Sequence, residues 1–328
     1  PVVSILLQHP EWLDAASLSR NFGSGSPLSR RVFTLLLGRA PETGDTRATL
    51  LRALRDDSPA VRWQAVLAIG GLSWDIAEKT PLLTGMLEDT NEFVGAIAAV
   101  TLGKIGATNA APVLFTNLQE RLHTHRPSAT TLEEEMAPLR ESFLMNFNAQ
   151  SNPFDPGGLL ARRFNGRMRR FGGDPRVEES FSIITALVEA LGELDYQPAT
   201  ATIVDLLGGP DSTVAATALK KLAPAELTRR LVTIANDKNA QAQSRDEALV
   251  LLSDAPGANA SDLVPLLDDH TIIPSIRPLP GREWRICDRA ATTLAGLLGR
   301  TMRIAPMMPE VERDQQIDQV RQWLKAAY

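Results

Sequence analysis

The sequence is short of several residue types, and each shortage excludes a class of protein. One cysteine among 328 residues rules out a disulfide within the chain and an all-cysteine zinc site. Aromatic residues make up only 5%, and alternating runs of valine, isoleucine and tyrosine are hard to find, which disfavours an all-β sandwich. No stretch approaches the roughly 20 apolar residues that span a bilayer. With 44% hydrophobic residues, we expect a folded, soluble and mainly helical protein.

The charge balance narrows the kinds of partner. The formal net charge is -5 and the isoelectric point is near 5.5. A protein that wraps nucleic acid over its whole surface needs many lysines and arginines to neutralise phosphates, so nucleic acid is disfavoured as a partner except through a local patch. The single cysteine does not fix the compartment. We favour the cytoplasm, and a secreted or periplasmic location stays open.

The sequence carries no motif of a common catalytic or nucleotide-binding site. G-x-S-x-G, the P-loop, the dinucleotide fingerprint and H-E-x-x-H are all absent. His123 and His125 have no third ligand at a typical spacing, so we interpret them as part of a solvated loop rather than a metal site. Cys287 has no histidine at a recognisable spacing, which favours a structural thiol over a nucleophile. We therefore expect no metal, no cofactor and no enzymatic activity.

An internal repeat is the clearest signal in the chain. In "DDSPAVRWQAVLAIGGL" the apolar or small residues Val61, Ala65, Ala68, Ile69 and Leu72 share one helical face. The same pattern starts again at two positions and more weakly at four others. The clear copies start at Val94 and Ile183, and the weaker ones at Ser29, Val214, Ser244 and Ile286. A glycine stands at the same place near the end of each clear copy: Gly70, Gly103 and Gly192.

Each copy follows a second apolar stretch with helical spacing, such as "TRATLLRAL" before Val61. The unit is therefore two helices joined by tight turns, and the small residue one turn into the second helix lets neighbouring helices approach closely. Such units bury their apolar faces only against neighbouring units. We predict an all-α solenoid over residues 1–328, a superhelical array of antiparallel helix pairs with about seven or eight repeats.

Two stretches, Asp56–Gly70 and Arg285–Gly299, resemble bacterial HEAT-like repeats of the short kind found in phycobilisome-lyase-type proteins. The first of them follows the pattern D-x-x-x-x-V-R-x-x-A-x-x-A-x-G. The resemblance implies a solenoid whose second helices line a concave face. The residues it places on that face as partner contacts are Arg62, Trp63, Glu92 and Arg285. Trp63 falls off the strict core stripe, and tryptophan and arginine are frequent interface anchors.

The same resemblance implies a polar ladder, in which an aspartate in the turn and the arginine after the first valine join successive repeats. Asp56, Arg62 and Asp89 match that pattern. Gly95 and Cys287 stand where the arginine is expected, so the ladder is predicted to be broken at those repeats.

The repeat is interrupted at two places, which we predict to be insertions at about 123–176 and 268–285. Between Val94 and Ile183, two enlarged units fit the spacing best, with the apolar stripe in "TLEEEMAPLRESFLMNF" as the second helix of one of them. The prolines of the second insertion forbid a continuous helix, so we expect a surface loop there. Residues 312–328 are predicted to form a capping helix.

A cationic segment, 159–176, lies within the first insertion. Its apolar residues recur at helical spacing, and the arginines between them could meet a protein partner or an anionic surface. The alternative, which we favour, is that the apolar residues pack on neighbouring repeats in the first-helix position of an enlarged unit. The arginines offered as contacts are Arg162, Arg163, Arg167, Arg169 and Arg170.

A full repeat without a catalytic constellation indicates a non-catalytic scaffold or adaptor, which binds another protein through the concave face and the inserted loops. The family resemblance suggests an alternative, a chromophore lyase or chaperone that would bind a bilin. A third hypothesis is DNA binding in the manner of HEAT-like DNA glycosylases, which ranks last because the assigned inner positions are neutral or mixed in charge.

Overall fold

The computed structural model describes residues 9–124, 182–274 and 283–327, apart from 303, 306 and 307. Across these residues the chain is all-α, and the β-structure is a single isolated bridge between Ile272 and Arg285. The all-α repeat prediction is confirmed. The chain divides into two compact units, Pro1–Leu194 and Asp195–Tyr328. A single array over 1–328, and its count of repeats, stay predictions.

The first unit contains eight α-helices in its described part. They are α1 (Ala15–Phe22), α2 (Pro27–Leu37), α3 (Gly44–Ala53), α4 (Pro59–Gly71), α5 (Ile76–Gly85), α6 (Glu92–Lys104), α7 (Ala111–Thr124) and α8 (Ile183–Glu193). Odd-numbered helices pack against the even-numbered helix that follows, and α2, α4, α6 and α8 pack side by side in that order. Each pair is therefore one repeat, and the even-numbered helices are the second helices of the repeats.

Local sequence sets where these helices begin. Ser26, Asn91 and Ser182 each accept a hydrogen bond from the backbone N–H three residues on, which satisfies a donor that the first turn leaves free. Pro27 and Pro59 occupy the first helical position, where their fixed φ fits and no N–H is missed. The starts predicted from the repeat pattern therefore coincide with real helix starts.

The stack passes directly from α6 to α8. A Cβ on Gly103 would lie 2.8 Å from the Cα of Ala190, and one on Gly95 would lie 3.0 Å from the Cδ1 of Ile183. Helix α8 therefore occupies the second-helix position beside α6. The stretch "TLEEEMAPLRESFLMNF", predicted as the second helix of an enlarged unit, lies outside the described residues and stays a prediction. The predicted first insertion lies almost wholly outside the described residues.

The second unit has six α-helices in its described part. They are α9 (Thr200–Val204), α10 (Ser212–Leu222), α11 (Pro224–Asn236), α12 (Ala242–Leu252), α13 (Ile286–Leu297) and α14 (Glu310–Ala327). A 3₁₀-helix, Ala260–Asp268, takes the first-helix position before α13. Helices α10, α12 and α13 follow one another as second helices. The C-terminal helix α14 packs on α13 and buries Ile317, Val320 and Leu324. Its function as a cap stays a prediction.

The second predicted insertion leaves the stack at the turn before α13. The N–H of Ile273 donates to Trp284 O over 2.8 Å, and the N–H of Ile286 donates to Thr271 O over 3.0 Å. The N–H of Cys287 donates to Asp269 O over 2.8 Å. We call residues 269–273 and 284–287 the insertion base. Among the helices of the described ranges, none is both long and apolar enough to cross a membrane.

Candidate functional site

Arg–Asp pairs join successive repeats of the first unit. Arg62 on α4 donates from Nε and Nη2 to both carboxylate oxygens of Asp89, each over 2.7 Å, and Arg30 on α2 makes the same two-point contact with Asp56 over 2.6 and 2.8 Å. Each aspartate also accepts the backbone N–H two residues ahead, at the start of the next second helix. The aspartate is therefore fixed by its own turn before the arginine reaches it. We call each such pair a rung.

The described part of the second unit contains one similar rung, in which the arginine makes one hydrogen bond to the aspartate instead of two. Arg245 on α12, only 1% exposed, donates to Asp269, which also accepts the N–H of Thr271 two residues ahead. Arg245 further donates to Ala235 O over 2.9 Å. The repeated arrangement shows that the turn aspartate and the arginine of the preceding second helix form one recurring interaction.

In two of the rungs the pKa of the carboxylate is lowered, at Asp56 and at Asp269. Burial alone would raise the pKa of Asp56, but hydrogen bonds from Arg30 and from the Ser58 N–H outweigh burial, and the pKa falls below its ordinary value. The pKa of Asp269 is lowered in the same way, against burial, by Thr271 and Arg245. Both aspartates are therefore held ionised in the folded chain.

The family pattern identified only part of this set. It predicted the rung between Arg62 and Asp89 and missed those of Arg30 and Arg245, although both arginines directly follow the starts of weaker copies at Ser29 and Ser244. The signal was therefore present in the repeat register. Gly95 lies in close contact with Ile183 of α8 and with the Leu87 carbonyl. The break in the ladder at this repeat stays a prediction.

The four predicted contact residues that the structure describes lie in different surroundings. The guanidinium of Arg62 is occupied by its rung and by the Asp56 and Asp57 carbonyls. Glu92, in the first turn of α6, is partly buried, and its Oε1 is enclosed without a hydrogen-bond partner among the described residues. Partner contact through these two residues stays a prediction.

The expectation that Trp63 lies off the core is wrong. Its side chain is buried, at 7% exposure, with the Arg31 guanidinium 4.5 Å above its ring and Phe93 edge-on at 5.8 Å. Burial lowers the pKa of Arg31 to about 10. The helical-face count misses this because α4 is enclosed on several sides by α2, α3 and α6, so residues beyond the main stripe are also covered.

Arg285 lies in a buried polar cluster instead of on an open surface. It is 4% exposed, donates to both oxygens of Asp288, and reaches Glu310 and Asp314 on α14 over 2.7 and 2.8 Å. Arg313, 2% exposed, also donates to Asp288. Hydrogen bonding to Asp288 raises the pKa of Arg285. The cluster ties α14 to α13, and partner contact by Arg285 stays a prediction.

The single cysteine has the environment of a structural thiol. Cys287 is fully buried, and burial raises the pKa of its thiol to about 11. His270 Nδ1 lies 3.9 Å from Sγ, a neighbour that the sequence spacing did not reveal. A thiol with a raised pKa holds its proton at neutral pH, the opposite of an activated nucleophile. Within the described residues, no group of three or more histidine, cysteine or acidic side chains could hold a metal ion.

The cationic segment 159–176 lies outside the described residues. Arg162, Arg163, Arg167, Arg169 and Arg170 therefore stay predictions as contacts, as does the first-helix position proposed for the segment. A shallow polar depression of about 580 Å³ lies in the second unit, lined by Gly208, Pro210, Gln243, Ser244 and Glu247 among others. Its lining is more polar than apolar, whereas a small-molecule site is normally lined mostly by apolar side chains.

The insertion base is held by side-chain contacts on one side and exposes an apolar side chain on the other. Behind it, Arg289 stacks on Trp284 at 4.6 Å and pairs with Asp246, and Arg313 donates to Glu283 O over 2.8 Å. In front of it, Ile272 is 56% exposed. This is the one place in the second unit where described backbone outside the helices forms a fixed extended segment.

Comparison with known families supports the repeat in one part of the chain. Residues 47–129 match the family model for HEAT repeats. One solved structure with some similarity is the complex of CpcE and CpcF of phycocyanin lyase from Nostoc sp. PCC7120, at 19% identity, covering 96% of this chain and 95% of that chain with a TM-score of 0.41. Another is human deoxyhypusine hydroxylase in complex with glycerol, at 15% identity, covering 98% of both chains with a TM-score of 0.28.

No curated protein matches the chain. The family match covers α4 to α7, and the same pairing of first and second helices occurs on both sides of it. The rungs found there recur before and after the matched residues, at Arg30 and at Arg245. The HEAT-repeat family is thus shown for residues 47–129, and other described parts of the chain have the same helix pairing.

Proposed function

We propose that this chain is a non-catalytic scaffold or adaptor that binds another protein through its second-helix face and its insertions. The observation that supports this most is the insertion base: a HEAT-like repeat carries an added segment whose two ends are fastened by three backbone hydrogen bonds and by the Arg289–Trp284 and Arg285 contacts. The described ends of this segment are therefore held in fixed positions, which lowers the entropy cost of binding a partner at them.

The chemistry of the described residues is consistent with binding rather than turnover. Several buried charged side chains of the second unit join neighbouring elements: Arg245 and Asp269 in a rung, and Asp288 and Arg313 between α13 and α14. The cysteine is a buried, protonated thiol. Binding energy in such proteins comes from a large contact surface presented by a stable array.

The test is chemical cross-linking of the intact chain in extracts of its own source, followed by mass spectrometry. We expect a recurring protein partner whose cross-links fall on the second helices or beside the insertions. The matched control is the same chain unfolded and refolded incompletely, which should lose those cross-links. Recovery of no partner, together with turnover of a substrate in an activity screen, would contradict the proposal.

A further inference from the structure

One edge of the insertion base is open to a further strand. In the bridge between Ile272 and Arg285, the two hydrogen bonds come from the flanking residues: Ile273 N–H to Trp284 O, and Ile286 N–H to Thr271 O. Ile272 is thus at a non-hydrogen-bonded position of an antiparallel pair, where its own N–H and C=O point away from the partner segment. Within the described part of the chain, neither group pairs with another backbone group.

The neighbouring residues repeat this alternation. Asp269, Thr271 and Ile273 use their backbone groups toward residues 284–287. Because the direction alternates along an extended segment, His270 and Ile272 face the opposite side, and both are exposed. An exposed edge of unpaired backbone groups is a template for an added strand.

The exposed charge beside this edge is mainly negative, and Arg321, 39% exposed, is a cation that pairs with Asp268 there. The arginines of the surrounding clusters, Arg245, Arg285 and Arg313, are 1 to 5% exposed. Three carboxylates that pair with arginines here are instead open to solvent: Asp268 at 79%, Glu310 at 63% and Asp314 at 49%. Glu310 and Asp314 bind the side chain of Arg285, the residue opposite Ile272. Both carboxylates therefore lie no farther from Arg285 in the bridge than the length of its side chain. A partner therefore meets negative charge around an exposed isoleucine.

We propose that residues 270–272 form a docking edge for an extended segment of a partner protein, one that carries an apolar side chain flanked by lysine or arginine. The backbone of that segment would exchange hydrogen bonds with Ile272. Its apolar side chain would pack beside the Ile272 side chain, and its cations would face Glu310 and Asp314. Backbone pairing gives such a contact its affinity, and the side chains give it its specificity. The inference rests on the proposed scaffold function and assigns the partner's chemistry.

The test uses the intact chain and a short synthetic peptide of alternating valine and lysine. Amide hydrogen exchange at Ile272 is followed by NMR with and without the peptide. We expect exchange at this amide to slow about tenfold at saturation, because the N–H becomes hydrogen-bonded. A peptide with glutamate in place of lysine should give no protection, and added salt should weaken the lysine peptide. Unchanged exchange with the lysine peptide, or equal protection by the glutamate peptide, overturns the proposal.

Two substitutions at one position separate binding from folding. Ile272→Pro removes the outward N–H, and proline is tolerated where an edge N–H faces solvent, so the fold should be kept. Ile272→Val keeps both the N–H and a branched side chain. We expect peptide affinity to fall about tenfold in the proline variant and to be kept in the valine variant. Equal affinity in the two variants, with thermal unfolding unchanged, means that the edge is not the docking site.

Different experimental results would contradict the docking edge and the scaffold function. If the intact chain captures a partner and Ile272→Pro captures it equally well, the edge inference is wrong and the scaffold function stands. If the peptide protects Ile272 and no protein partner is found by cross-linking, the edge binds as inferred and the scaffold function is wrong.

Discussion

The carboxylate of a rung is largely buried, so its hydrogen bonds stabilise the fold more than an exposed ion pair would. The Asp56 side chain is 7% exposed and accepts two hydrogen bonds from Arg30 and one from the Ser58 N–H. Exposed pairs contribute little, about 0 to 1 kcal/mol, whereas a charge-assisted hydrogen bond contributes about 1.5 to 3 kcal/mol. The rung therefore acts as a fixed joint between repeats.

Removing the Asp56 charge should change how stability depends on pH. Because the folded pKa of Asp56 is lowered, its stabilisation is present above the ordinary value and is lost as pH falls through the folded value. We expect Asp56→Asn to lower the free energy of unfolding by about 2 kcal/mol at pH 7, with a smaller difference from the parent chain in acid. Denaturant titrations over a pH series measure this.

The neighbouring Asp57 provides the control for that experiment. Its side chain is exposed, so Asp57→Asn should leave the unfolding free energy within about 0.5 kcal/mol of the parent chain. A constant difference between Asp56→Asn and the parent down to strongly acidic pH would show that the loss is not electrostatic.

Asp288 is a residue of the second unit at which we expect a substitution to be strongly destabilising. It is fully buried between Arg285 and Arg313, so Asp288→Asn leaves two buried cations without their carboxylate. We expect a loss of about 3 kcal/mol or more in the free energy of unfolding. Asp246→Asn, which breaks the partly exposed pair with Arg289, should cost less than about 1 kcal/mol. Equal losses in the two variants would contradict the assignment.

At the scale of the helix, the second helices approach closely where glycine faces a neighbour. A Cβ on Gly70 would lie 2.4 Å from the Thr101 Cγ2, and one on Gly103 would lie 2.8 Å from the Ala190 Cα. The sequence showed that these glycines share one place in the repeat but not what they touch. Their recurrence follows from the spacing between stacked second helices.

Gly103→Ala should separate α6 from α8. The added methyl meets backbone, which cannot rotate away, so we expect a loss of about 1 to 3 kcal/mol despite the better helix propensity of alanine. Gly71→Ala is the matched control, since nothing lies within 4 Å of its added Cβ. It should be neutral or stabilising by about 0.5 kcal/mol. Thermal unfolding of both variants gives the comparison, and a neutral Gly103→Ala would refute the close contact.

The spacing of apolar residues predicted the helices well, because each helix has an apolar stripe of its own. It identified the second-helix starts near Val61, Val94 and Ile183 within a few residues. It failed on Trp63, because a stripe gives one buried face whereas α4 is covered on several. It also did not show that α6 and α8 pack against each other, because spacing along the chain does not show which helices become neighbours.

At the scale of the molecule, the reactivity of the single thiol measures how readily the structure around it in the second unit opens. Cys287 is fully buried and its thiol pKa is raised to about 11, so a thiol reagent at pH 8 should react only through opening of the surrounding structure. We expect slow labelling that accelerates with denaturant. The control is Val264→Cys in a Cys287→Ser background, because Val264 is 40% exposed and a thiol there should react at once. Fast labelling of native Cys287 would contradict its burial.

The candidate site was less predictable than the fold. The sequence predicted a loop at about 268–285 from its prolines, and it did not show the bridge at Ile272 or the cluster around Arg285. Both depend on groups far apart in sequence, such as Arg285 with Asp314 and Arg313 with Glu283. Long-range polar contacts leave no periodic trace, so composition and spacing cannot reveal them.

The rung between Arg245 and Asp269 has a consequence for how this protein could acquire new segments. In the first unit the rung aspartate is followed almost at once by the next helix, yet in the second unit Asp269 keeps its arginine although α13 begins only at Ile286. The joint thus depends only on residues up to Thr271, and closing a longer loop beyond it costs little, growing with the logarithm of its length. That turn is a natural graft point, where foreign sequence can be accepted without loosening the stack.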